Sequence, residues 1–118
     1  MIDIKTYNSD NIFAKILRKE VPSEKIYEDD LIYAFKDIRP QDKTHILVIP
    51  KSRVCSFNDF IDNSEPNTII TFMRSIRKIV DMLEISDGYR LITNVGNVGG
   101  QEVPHFHFHL ISSTETKK

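Results

Sequence analysis

Apolar positions recur along this chain at two spacings, and each spacing occupies its own blocks. Steps of three and four mark helix faces, and steps of two mark strands. Ile12, Phe13, Ile16 and Leu17 share one face of a short helix, capped by Asp10 or Asn11, running to about Lys19 and stopped by Pro22. Ile69, Phe72, Met73, Ile76, Ile79, Val80 and Leu83 form the longer stripe. It predicts a helix over 64–84, with Ser64 as cap, Pro66 in the first turn, and Arg74, Arg77, Lys78 and Asp81 on the wet side. Strand-like runs cover 25–28 and 31–37, joined as a hairpin by Asp29-Asp30. A third strand, 44–49, is aliphatic enough to be central and is ended by Pro50. A fourth covers 89–94 after Asp87-Gly88, and a fifth 105–111. The order α, β, β, β, α, β, β predicts an α+β domain: a five-stranded, mostly antiparallel sheet with two main helices.

The fifth strand carries the chemistry. His105, His107 and His109 alternate with Phe106, Phe108 and Leu110, so the imidazoles share one face and the apolar groups pack on the other. Three of the chain's four histidines fall in this one register, too many for an edge strand whose polar face is histidine by chance. The fourth, His45, sits at the start of the third strand and gains interest only from the other three. Between the fourth and fifth strands, residues 94–104 hold three of the four glycines. Glycine permits positive φ and close approach of backbone to a ligand, and successive amides in such a loop can cradle an anion.

Composition narrows the classes. A length of 118 residues predicts one domain, with a core from about 11 to 111 and a polar tail over 112–118. A net charge of −1 offers no basic surplus for nucleic acid, and the longest aliphatic run, residues 46–49, is far too short to span a membrane. The first residues lack the cationic and apolar stretches of a signal peptide, and the single cysteine, Cys55, excludes an intrachain disulfide. A cytoplasmic, reducing setting is expected.

Two chemistries suit a histidine face beside an anion-binding loop. A neutral imidazole can attack phosphorus while its neighbours hold the oxygens, splitting one displacement into two. Alternatively, His-x-His with a third histidine can hold zinc, leaving a position open for water. The strand contains no carboxylate and the cysteine is distant in sequence, so zinc is the second choice.

At this point a resemblance enters. His105-Phe106-His107-Phe108-His109-Leu110-Ile111 resembles the histidine triad motif, His-φ-His-φ-His-φ-φ with φ apolar. Ile12-Phe13-Ala14-Lys15-Ile16, Glu28-Asp29-Asp30, Ala34-Phe35-Lys36-Asp37-Ile38, Thr44-His45-Ile46-Leu47-Val48-Ile49-Pro50-Lys51 and Gly99-Gly100-Gln101-Glu102-Val103 are similar to the nucleotide-binding Hint branch of the histidine triad (HIT) family. The similarity runs in order from about Asn11 to Ile111.

The resemblance implies a HIT-like fold and a homodimeric phosphoramidase or nucleotidyl hydrolase acting on a purine nucleotide such as AMP, GMP or an adenosine phosphoramidate. His107 would attack the α-phosphorus and become nucleotidylated, with His105, His109 and His45 completing an imidazole cluster around the phosphate. Asp37 would hold the ribose hydroxyls. Ile12, Phe13, Ile16, Val21, Phe35 and Ile38 would line the purine pocket. Asn94 and the backbone of Gly100, Gln101, Glu102 and Val103 would meet the phosphate and leaving group. No metal is expected to be required. The alternatives are a dinucleoside polyphosphate hydrolase, as in the fragile-histidine-triad branch, and a nucleotide-binding regulatory module with little activity. The chain departs from relatives in three places. Glu102 stands where many carry serine, the chain stops soon after the triad, and the cysteines that hold structural zinc in some members are absent.

Overall fold

The computed structural model describes residues 2–116. Met1, Lys117 and Lys118, ends of the expected leader-free start and polar tail, lie outside the described residues. The elements are α1 (Ile12–Leu17), β1 (Lys25–Glu28), β2 (Ile32–Lys36), β3 (Thr44–Pro50), α2 (Phe57–Asn63), α3 (Pro66–Met82), β4 (Arg90–Ile92) and β5 (Phe108–Ser112). The strands form one antiparallel sheet in the order β1-β2-β3-β5-β4, with β3 in the centre.

The strand alternation sorts side chains into two layers. Ile32, Ala34, Ile46, Val48, Phe108 and Leu110 face α2 and α3, where Phe60, Phe72, Ile76, Ile79, Val80 and Leu83 close the main core. Stacked and edge-on rings of Phe60, Phe72, Phe106 and Phe108 fill its centre, with centroids 4.7–6.4 Å apart; such pairs stabilise beyond their buried area. The other sheet face presents Phe35, Leu47 and Ile49 to Phe13 and Ile16 of α1. This second, smaller layer carries the site. The pairing of β3 with β5 sets His109 opposite Leu47 and Ile111 opposite His45, so both imidazoles fall on the α1 face.

Several boundaries differ from the sequence expectation. Helix α2 was not expected, although Ser56 accepts from the Asp59 amide as an N-cap and an acid sits in its first turn. Ser64 ends α2 and does not cap α3, whose N-cap is Glu65. Helix α1 stops at Leu17, and Lys19 takes a φ of 65° beyond it. Strand β5 begins at Phe108, not at His105, because other partners occupy the preceding backbone. The Phe106 amide donates to the Val54 carbonyl, the His105 carbonyl accepts from the His107 imidazole, and the His107 carbonyl accepts from the Thr93 hydroxyl. The expected polar tail is tied down as far as it is described. Ser112 is buried within β5, and the Thr44 hydroxyl donates to the Thr114 carbonyl and accepts from the Thr116 amide. No helix among the described residues is long and apolar enough to cross a membrane.

Candidate active site

A cavity of about 720 Å³ opens between α1, the end of β2 and the β4–β5 loop, a size usual for small-molecule sites. Ile12, Phe13, Ile16, Val21, Phe35 and Leu47 give it an apolar end. Asp37, Asn94, Gly100, Glu102, His107 and His109 give it a polar end. Phe13 sets its ring edge-on to His107 at 5.0 Å and to Phe35 at 5.5 Å, joining the two ends. Ile38 and Val103 also line the cavity, Ile38 as a rim residue almost wholly exposed.

The four histidines divide into two that face the cavity and two that stand behind them. His105 and His45 do not line it, so the expected cluster of four imidazoles meets the cavity through His107 and His109, with the other two behind them. His105 is fully buried and His45 nearly so. They act through protons. His107 Nδ1 lies 2.7 Å from the His105 carbonyl oxygen. A carbonyl only accepts, so Nδ1 carries the proton, and a neutral ring then has a bare Nε2. That nitrogen has no partner among the described residues, and no buried side-chain nitrogen or oxygen there lacks one. The lone pair therefore meets the cavity. Burial pulls the His107 pKa down to about 4 against the opposing bond to the His105 carbonyl, so the ring is neutral at pH 7.

The same logic fixes the others. His105 Nε2 donates to the Pro50 carbonyl at 2.8 Å, so its Nδ1 accepts from the Tyr7 hydroxyl at 2.6 Å. Burial, opposed by the Pro50 bond, lowers its pKa to about 4. His45 Nδ1 accepts from the Gln41 amide at 3.0 Å, which leaves the proton on Nε2. That Nε2–H lies 2.9 Å from His109 Nδ1 and 3.3 Å from Asp37 Oδ2. His109, accepting at Nδ1, carries its own proton on Nε2, toward the cavity. Both pKa values are lowered first by burial, with Asp37 pulling the other way at each and Glu102 also raising that of His109. The cavity thus meets one bare imidazole nitrogen and one imidazole N–H, on rings with centroids 5.1 Å apart.

The glycine loop is a partial cradle. Gly96 and Gly100 have φ of 71° and 81°, and a Cβ on Gly99 would lie 2.3 Å from the Val95 carbonyl oxygen. The Gly100 and Gln101 amides are consumed within the loop, donating to Asn97 and Gly96 carbonyls. Of the backbone expected to meet the phosphate and leaving group, these two amides are thus already bonded. Those of Glu102 and Val103 have no acceptor among the described residues. Gln101 does not line the cavity. Its buried amide group donates to the Cys55 and Val103 carbonyls and accepts from Gly96, bolting the loop to the body. Asp37 does reach the cavity, where one carboxylate oxygen accepts from the Arg39 amide at 2.8 Å. Tyr7, Gln41 and Thr93 were not expected at the site. Gln41 and Pro50 act through their backbones, which leave no mark in a sequence.

Asp37, His45 and His109 each bring one ligand-type atom within 4.8 Å of the others. The protons argue against a cation there. His45 Nδ1 is already committed to an amide donor, so a metal on Nε2 would have to expel the only ring proton and leave an imidazolate.

Fold and cavity together define an antiparallel α+β protein that presents two neutral imidazoles, one bare and one protonated, to a small-molecule pocket with an apolar end. The model of the HIT domain matches residues 18–116, and the chain belongs to that family. It is 47% identical over 106 residues to an uncharacterized HIT-like protein of Rickettsia prowazekii, covering 89% of this chain and 88% of that one. It is 45% identical over 104 residues to the purine nucleoside phosphoramidase of Escherichia coli K12, covering 86% of each. A solved HIT family hydrolase of Legionella pneumophila superposes with a TM-score of 0.80 at 38% identity, covering 88% of this chain and 93% of that one.

Proposed function

We propose that this chain hydrolyses purine nucleoside phosphoramidates and related adenylates through a nucleotidyl-histidine intermediate. The observation that carries the proposal is the bare Nε2 of a buried, neutral His107 opening on the cavity. Its lone pair attacks the α-phosphorus, forming a phosphorus–nitrogen bond as the bond to the leaving nitrogen breaks with its electron pair on that nitrogen. Water then displaces the imidazole. The amine leaves carrying a proton drawn from solvent, and the hydrolytic water returns a proton to solvent as its hydroxyl joins phosphorus, so one water is consumed overall. His109 Nε2–H donates to a phosphoryl oxygen as charge develops, supported by the free amides of Glu102 and Val103. The apolar end takes the purine, with Phe13 and Phe35 against the base, and Asp37 takes the ribose hydroxyls. The phosphoramidase activity named for the Escherichia coli relative supports the choice of leaving group.

The same proposal includes a cytoplasmic homodimer that needs no resident metal. Ile70 and Met73 lie exposed along α3, and β4 is an open sheet edge with exposed Leu91, surfaces suited to a second copy. Light scattering at micromolar concentration should report a dimer.

The deciding experiment follows AMP release from adenosine 5′-phosphoramidate and, separately, from a diadenosine polyphosphate. Fast release from the first supports the proposal. Release only from the second would replace it with the polyphosphate hydrolase reading, and release from neither would leave a binding module. An acid-labile adduct trapped by rapid quench should map to His107 and vanish in His107→Asn, while nucleotide still binds.

A further inference from the structure

Residues 2–10 do not line the main cavity, yet they are fastened to its back wall. The Ile2 amide donates to Asn97 Oδ1 at 3.1 Å, and Asn97 Nδ2 returns a bond to the Ile2 carbonyl at 3.3 Å. Ile4 packs against Gly96, 3.7 Å from where a Cβ would stand. Further along the same segment, the Tyr7 hydroxyl reaches His105 Nδ1 at 2.6 Å, and the two rings meet edge to face at 5.5 Å. The segment is therefore a strap across the glycine loop that ends on a histidine the cavity never sees.

That histidine is held at both ends of its ring. Nε2–H is committed to the Pro50 carbonyl, so the hydroxyl of Tyr7 must be the donor to Nδ1. A ring fixed at two points fixes its main chain, and it is the main-chain carbonyl of His105 that holds the Nδ1 proton of His107. The same peptide is held at its other side by the Phe106 amide on the Val54 carbonyl, so the His105 ring and this bond together set the direction of the His105 carbonyl. Were that acceptor displaced, the His107 proton could move to Nε2 and cover the lone pair.

We propose that Tyr7 is a positioning residue for the nucleophile: its hydroxyl holds His105 and, through the His105 carbonyl, keeps the proton of His107 on Nδ1. The strap is thus part of the reacting apparatus although nothing in it touches substrate. The inference rests on His107 as the attacking group.

Tyr7→Phe deletes the hydroxyl and keeps the ring, so the fold and the edge contact survive. With adenosine 5′-phosphoramidate, kcat should fall about three- to tenfold, the worth of one neutral hydrogen bond, with KM unchanged. Nitrogen-15 spectra of the imidazoles should show a growing Nε2–H fraction on His107. Parent kcat with the parent tautomer would overturn the inference. So would a lowered melting temperature with kcat and tautomer intact, which marks a purely structural contact, or a raised KM with kcat intact, which marks a binding role. If turnover survives His107→Asn, the proposed function fails instead, and the tautomer spectrum still decides whether Tyr7 governs His107.

Discussion

Acid should loosen this fold through its buried imidazoles, and His107→Asn should halve the effect of the two deepest. His105 and His107 each have a pKa of about 4 in the folded chain, lowered chiefly by burial, against 6.5 in an unfolded one. Folding therefore weakens proton binding at both rings. Their contribution is fully present above pH 6.5 and is lost as the pH falls toward 4. For one such ring, the loss between pH 7 and pH 5 is about 2 kcal/mol. The pair loses about 4 kcal/mol, a large share of the roughly 5–15 kcal/mol that holds a small domain together. Urea unfolding at pH 7, 6 and 5, on parent and variant, measures it. The parent should lose about 2 kcal/mol more than His107→Asn over that range. The comparison is of slopes, so any change in stability at pH 7 caused by the substitution itself drops out, as do the carboxylates common to both. Parallel slopes would mean that His107 is solvated or already charged in the fold, and the assignment of a neutral ring with a bare Nε2 would fall with it.

Other outcomes follow from the same geometry. The acid limb of kcat/KM for His107, which an unperturbed ring would place near pH 6.5, should lie near 4, so activity should hold between pH 7 and pH 5 wherever the fold does; a limb at 6.5 would contradict the burial. Asp37→Asn should weaken ribonucleotide binding by about 1–3 kcal/mol, measured by calorimetry, and the parent should discriminate against 2′-deoxynucleotides; equal affinities would remove Asp37 from the ribose. Dialysis against EDTA should leave turnover intact, and loss restored by zinc would reinstate Asp37, His45 and His109 as a metal centre.

The sheet and α3 were legible because their signals are long: the stripe on α3 runs from Ile69 to Leu83, and β3 carries four successive aliphatic residues from Ile46 to Ile49. Helix α2 was missed although it is a residue longer than α1, with Phe57, Phe60 and Ile61 at helical spacing and a capping signal in Ser56 and Asp59. The histidine alternation correctly put His109 and Phe108 on opposite faces. It holds further back as well, with Phe106 in the main core and the His105 ring against Phe13 of α1, although the ladder itself begins only at Phe108. Gln101 looked like part of a ligand loop because it lies among the glycines. Its neighbours in space, Cys55 and Val103, make it a bolt. What a sequence shows least is the backbone: the Pro50 carbonyl and the Gln41 amide set the states of two histidines, and neither depends on the identity of its side chain.

This explains why the site holds four imidazoles when two face the cavity. Neutral histidine has two forms, nearly equal in energy, and an unconstrained pair of cavity rings would populate all combinations. Only one combination offers a lone pair for attack at His107 and a donor at His109. The two rings behind act as converters. His45 takes the invariant donor character of a backbone amide at Nδ1 and delivers a donor to His109, so that His109 must donate into the cavity. Behind His107 the conversion is one step shorter: a backbone carbonyl takes the Nδ1 proton directly, and the His105 ring serves to hold that carbonyl in place. One relay begins at an amide and the other ends at a carbonyl, so the cavity rings receive opposite states from groups that cannot change theirs. Burial keeps all four rings neutral, which the scheme requires, since a charged imidazole carries protons on both nitrogens and transmits no preference.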